Sequence, residues 1–114
     1  MISRTWHGAV PIKHKQAFYE YEMETGIKES LSVKGNLGTY LHVVDQGEYA
    51  HFFLCTIWEN MDSVRKFAGN TPHIAVTYPE DEAYQLISDP IVILQEVMTN
   101  CNPFNHINQI SQPI

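Results

Sequence analysis

The side chains of this 114-residue sequence that exchange protons near neutral pH are six histidines, His7, His14, His42, His51, His73 and His106. An imidazole can take a proton from a phenol, a quinol or an activated carbon. No pair has the His-x-x-x-His spacing of a helical metal site. His42 and His51, which a hairpin could set face to face, have no evident carboxylate ligand, so no metal is expected. His73 has the most pointed context. Thr71-Pro72 reads as a cap followed by a first-turn proline, which places His73 at the start of a short helix running to about Thr77. There the helix dipole would keep the imidazole neutral and ready as a base. Arg4, on an apolar strand, would pair with a carboxylate such as Glu96 or present a fixed positive charge to a ligand oxyanion. His73 and Arg4 are the expected catalytic residues, against the plainer alternatives of a surface histidine and a structural ion pair.

Aromatic residues supply the expected substrate-binding wall: Trp6, Tyr40, Phe52, Trp58, Phe67 and Tyr78. They would line a pocket for a small planar molecule if one face of each strand and the helix stripes turn inward. Taken singly, Phe52, Trp58 and Phe67 serve equally well as core filling, and it is their number that supports a pocket. The acidic stretch from Tyr78 to Glu82 is either a lid or a solvated loop.

A short set of elements has to position these side chains. Residues 2–10 alternate as a first strand, with Ile2, Arg4 and Trp6 on one face and Ser3, Thr5 and His7 on the other. Pro11 opens a helix to about Thr25, whose semi-apolar stripe is Ala17, Phe18, Tyr21 and Thr25. Lys13, Lys15, Glu20, Glu22 and Glu24 fall off that stripe, and Gly26 ends or kinks the helix. Strands over 37–44 and 49–58 flank a polar turn, Asp45-Gln46-Gly47-Glu48. Asn60 caps a second, short helix that Gly69 stops, and a last strand runs over 91–98 behind Pro90. This βαββαβ order is the α+β ferredoxin-like arrangement, a four-stranded antiparallel sheet with both helices on one face. Its other face carries apolar groups, and a second copy of the chain is the simplest cover, so a homodimer is expected. Residues 1–99 make the domain. Residues 100–114, rich in Asn, Gln and Pro, read as a polar C-terminal tail.

Composition narrows the function classes. Seven Lys and Arg against thirteen Asp and Glu give a net charge of −6, with no basic stripe for a nucleic acid. No run approaches the roughly 18 apolar residues that span a bilayer, and the first residues lack the apolar stretch of a signal peptide. Cys55 and Cys101 are placed neither as a disulfide framework nor as a metal pair. A soluble protein of the cytoplasm, with no nucleic-acid or membrane partner, is expected.

Several stretches together carry a family resemblance: Arg4-Thr5-Trp6 with Gly8; Tyr19 and Tyr21 ahead of Thr25-Gly26-Ile27; and Gly35-Asn36 with Gly38. Thr56 with Trp58, Phe67-Ala68-Gly69, and Ala75-Val76 followed by Tyr78-Pro79-Glu80-Asp81 complete the set. Over residues 1–98 the sequence resembles the antibiotic-biosynthesis-monooxygenase superfamily of dimeric α/β barrel proteins. That resemblance implies a pocket between helices and sheet in each subunit. It also implies a cofactor-independent monooxygenase acting on a small aromatic or quinol-like compound. The alternative on the same fold is a non-catalytic binding or scaffold dimer. The haem-degrading branch is similar in having a tryptophan where Trp58 stands. It departs at the first strand, which lacks an asparagine here, and His73 comes about a helical turn early, so no cofactor is expected.

Overall fold

Alternation of side chains builds the sheet outward from its two central strands. β1 (Ile2–Pro11) and β3 (Tyr49–Trp58) pair antiparallel along their whole length, Ile2 opposite Trp58 and Pro11 opposite Tyr49. This register puts Arg4, Trp6 and Val10 on the same face as Ala50, Phe52, Leu54, Thr56 and Trp58, all buried. Ser3, Thr5, His7, His51, Phe53, Cys55 and Ile57 point the other way and are half-buried. β2 (Asn36–Gln46) adds beyond β3, with an irregularity between Asn36 and Gly38. The computed structural model describes residues 1–99 and 101, so the tail expected over 100–114 lies, Cys101 apart, outside the described residues.

Two short strands share the fourth position. β4 (Ile87–Ser88) pairs with Gly8 and Ala9, and β5 (Ile93–Glu96) pairs with residues from Ile2 to Thr5. The order β2-β3-β1-β4 is that of the ferredoxin-like α+β fold. The strand expected over 91–98 forms only over Ile93–Glu96 and is broken off from β4 around Pro90, which has no N–H to give a ladder. Ile91 leaves the sheet and bridges Ile74; Ala75 N–H donates to Pro90 O and Val92 N–H to His73 O, each at 2.9 Å. The same ladder displaces the helical turn expected from His73 to Thr77, because backbone groups that a helix would pair internally are taken by residues 90–92.

At Gly26, where a stop or a kink was expected, the first helix takes the second course. After a 3-10 turn (Ile12–His14), α1 (Lys15–Glu22) does not stop at Gly26 but passes through a π turn (Met23–Ile27) into α2 (Lys28–Ser32). In a regular helix, positions four apart drift around the axis; a wider turn resets the drift. Phe18, Glu22, Gly26 and Ser30 consequently share the buried face. Glu22, expected on the polar side, is an interior residue. α3 (Met61–Ala68) has the expected cap, with Asn60 Oδ1 accepting from Ser63 N–H at 2.9 Å, and it ends at Gly69, whose φ is 80°.

Helices and sheet meet around Phe18, whose ring lies 5.0 Å from that of Phe52, 5.7 Å from Tyr84 and 6.4 Å from Trp6. A second aromatic contact stacks Trp58 on Phe67 at 5.6 Å, and Trp58 Nε1–H donates to Thr56 Oγ1 at 2.8 Å. On the opposite face of the sheet Tyr40, Val44, Tyr49, Ile87 and Ile93 are exposed. Among the described residues no helix is long and apolar enough to cross a membrane.

Candidate functional site

Between the sheet and α1 lies a cavity of about 20 Å³, lined on the apolar side by Trp6, Leu54, Phe67, Val76 and Leu86, and on the polar side by Arg4, Glu22, Tyr78 and Asp81. Such a volume holds about one water molecule. Arg4 comes from β1, Glu22 from the end of α1, and Tyr78 and Asp81 from the segment over 72–89 that crosses the opening.

Arg4 is 3% exposed, and its guanidinium is held by carbonyls instead of a carboxylate. Nε–H donates to Pro72 O at 3.0 Å and Nη2–H to Ile74 O at 2.9 Å. The Phe67 ring lies beneath it, 5.6 Å from Cζ to the ring centroid. The expected pairing with Glu96 does not form: Glu96 lies opposite Ile2, and Leu94 opposite Arg4. Burial lowers the Arg4 pKa to about 10, with Tyr78 opposing, so the group stays a cation at neutral pH. Nη1 has no protein partner among the described residues.

Glu22 is 5% exposed and its carboxyl accepts no hydrogen bond among the described residues. Burial first, and the charge of Asp81 second, push its pKa up to about 7. Gly26 makes room for it, since a methyl group there would stand 2.8 Å from Glu22 Oε2. Asp81 Oδ2 accepts from Tyr78 N–H at 2.9 Å, while Oδ1 is buried and without a partner among the described residues. The Tyr78 hydroxyl donates to Glu29 Oε2 at 2.7 Å, and burial followed by Glu29 raises its pKa above the usual phenol range. Trp6 Nε1–H donates to Ser88 Oγ at 2.9 Å; its indole lies across Gly8, where any side chain would overlap the ring.

Four residues expected from the sequence, Arg4, Trp6, Phe67 and Tyr78, thus meet at one cavity. Phe52 and Trp58 are fully buried core residues that do not line it. Tyr40, opposite Cys55 on β2, stands on the other face of the sheet, 54% exposed. His73 is exposed and away from the cavity, and with the ladder to residues 90–92 in place of a helix there is no helix dipole to act on it. Neither histidine expected across the hairpin faces the other: His42 is opposite Phe53, and His51 Nδ1 meets His7 Nε2 at 2.9 Å. An axial histidine on a helix over the cavity is absent among the described residues, so the site does not fit haem, and no cluster of three metal-binding side chains occurs among them. Two site residues were not singled out from the sequence: Glu22, and Asp81, which entered only as part of the acidic stretch from Tyr78 to Glu82. The first had one signal, its place in the four-spaced series Phe18, Glu22, Gly26, Ser30.

The same arrangement of strands and helices occurs in a solved structure. A candidate antibiotic biosynthesis monooxygenase from Deinococcus radiodurans matches with a TM-score of 0.56 at 14% identity, over 90% of this chain and 97% of that one. MupZ from Pseudomonas fluorescens matches with a TM-score of 0.48 at 14% identity, over 96% of this chain and 77% of that one. No family model and no curated protein matches the sequence. The likeness to the Deinococcus protein shows the fold, the ferredoxin-like α+β arrangement.

Proposed function

We propose that the chain is a cofactor-independent monooxygenase that oxidises an activated methylene or quinol-like carbon of a small aromatic compound. The observation that carries this reading is a buried cation, Arg4, and a buried glutamate, Glu22, whose carboxyl has no hydrogen-bond partner among the described residues, lining one cavity with Trp6 and Phe67 as its aromatic walls. A base is most effective when its pKa lies near the working pH, and Glu22, at about 7, meets that condition where His73 does not reach. In this mechanism Glu22 removes a proton from the substrate carbon and Arg4 Nη1 steadies the enolate oxygen. The carbanion combines with oxygen to give a hydroperoxide. Loss of water then leaves a carbonyl, so that R–CH₂–R′ and O₂ yield R–CO–R′ and H₂O. The protein supplies orientation, a dry site and a proton acceptor.

A substrate-sized pocket needs about 300 Å³ or more, so binding requires residues 72–89 to lift. That segment contains one 3-10 turn, Asp81–Tyr84, and the two-residue β4; its first residues are fixed by the two bonds from Arg4 and the ladder to residues 90–92, whereas the stretch around Tyr78 is tied to the helices by the single bond to Glu29. The small cavity is also what favours the second reading, a dimeric scaffold or binding protein without turnover. In both readings the exposed apolar side chains Tyr40, Val44, Tyr49, Ile87 and Ile93 are covered by a second copy of the chain.

Oxygen consumption with a panel of anthrones and quinols separates the two. Turnover by the wild type, and a fall in kcat of roughly 100-fold or more in Glu22→Gln, is the expected result. Saturable binding with no oxygen uptake across the panel would leave the scaffold reading.

A further inference from the structure

We propose that Asp81 is a positioning residue: when residues 72–89 close over the cavity, Asp81 brings a second carboxyl to Glu22, and the two acids hold one proton between them that keeps the segment closed. This deepens the role given above to Glu22 as the base.

Three observations support it. Glu22 is buried, lines the cavity and has no hydrogen-bond partner among the described residues. Asp81 lines the same cavity with one oxygen engaged by Tyr78 N–H and the other buried and unpartnered. The cavity that both line holds about one water, so two ionised carboxylates there would repel with little solvent to screen them, and the charge of Asp81 acts on Glu22. One shared proton removes that repulsion, and the pair then titrates as a unit.

The groups around the pair are few. Arg4 on β1 lines the cavity, but its fork is directed to the carbonyls of Pro72 and Ile74. From α1 the Tyr21 hydroxyl donates to the Asp81 carboxyl, and burial, then that hydrogen bond, then the charges of Asp81, Glu80 and Glu22 raise its pKa, so it stays protonated and adds no charge. Tyr78 is likewise kept protonated, by burial and by Glu29 on α2, with smaller contributions from Glu22 and Asp81. Glu80 adds a further negative charge at the mouth of the segment. The closed segment therefore sets acid against acid, and loss of the shared proton loosens it. Because Asp81 arrives only with the closed segment, proton uptake by the pair accompanies closure, and the base becomes ionised as the site opens to a ligand.

Carbon-13 NMR of the side-chain carboxyls tests this without any substrate. In the wild type, Glu22 and Asp81 should titrate in two linked steps. In Asp81→Asn the Glu22 midpoint should fall by about one pH unit. In Glu22→Gln the Asp81 carboxyl should titrate in one step, and this second variant decides the matter if the first does not fold. Glu80→Gln should leave the Glu22 midpoint in place. If each carboxyl titrates identically with and without its partner, the inference is overturned. The activity reading stands or falls separately: linked titration with no oxygen uptake sinks only the monooxygenase, and turnover with unlinked titration sinks only the shared proton. Where turnover is seen, the acidic limb of the kcat/KM pH profile, below which the base is protonated, should move to lower pH in Asp81→Asn by the same amount as the NMR midpoint.

Discussion

A carboxyl kept at a pKa of about 7 in the fold, against 4.5 for an ordinary glutamate, makes the folded chain hold a proton that the unfolded chain has already released. Between those two values the native state binds more protons, so the stability present below about pH 4.5 is lost as pH rises through 7. The difference amounts to about 3 kcal/mol. Urea denaturation of wild type and Glu22→Gln between pH 4 and 8 should show the wild type losing ground to the variant by about that much. Parallel curves would mean that Glu22 titrates like a surface residue. At this scale the sequence was partly legible. Arg4 and the aromatic residues Trp6, Phe67 and Tyr78, singled out by residue type, line the one cavity. Glu22 was not singled out, because a glutamate on an amphipathic helix is read outward by default, and only the local helix geometry turns it in.

The π turn is the element that does so, and Gly26 is its small residue. Replacing it with Ala favours the helix by up to about 1 kcal/mol, yet the new methyl would meet Glu22 Oε2 at 2.8 Å, the far end of a flexible side chain. Gly26→Ala is expected to fold with unchanged or slightly higher thermal stability while the Glu22 carboxyl swings aside and titrates closer to 4.5; an unchanged Glu22 midpoint would show that the carboxyl does not need this space. Elements defined by local chemistry were legible from the sequence: the bounds of β3, the cap at Asn60 and the stop at Gly69. Those defined by distant partners were not. Thr71-Pro72 has the local signature of a helix start, but the ladder joining His73, Ile74 and Ala75 to residues 90–92 depends on contacts no local pattern carries. The broken last strand has the same origin.

Across the whole molecule the sheet separates a helix-covered face from an open one, where Ile93 is 58% exposed opposite Thr5. If two copies join through that face, Ile93→Lys buries a charge at the contact, and sedimentation should show association weakened by roughly 30-fold or more; a mass already monomeric in the wild type would remove the dimer from the proposal. The ferredoxin-like layout itself was legible, since β-α-β-β-α-β order and alternation are whole-chain patterns. Sharing the fourth sheet position between β4 and β5 has a further consequence for the amide protons. β1 and β3 are locked into a full ladder whose opening requires unfolding of the molecule, whereas β4, and the 73–75 ladder with it, can detach while the central strands stay paired. Deuterium should therefore enter residues 73–88 long before it enters the central strands, and any compound that holds the segment down would slow that uptake. The slow clock of the sheet and the fast clock of its edge together form an assay for ligands that needs no turnover.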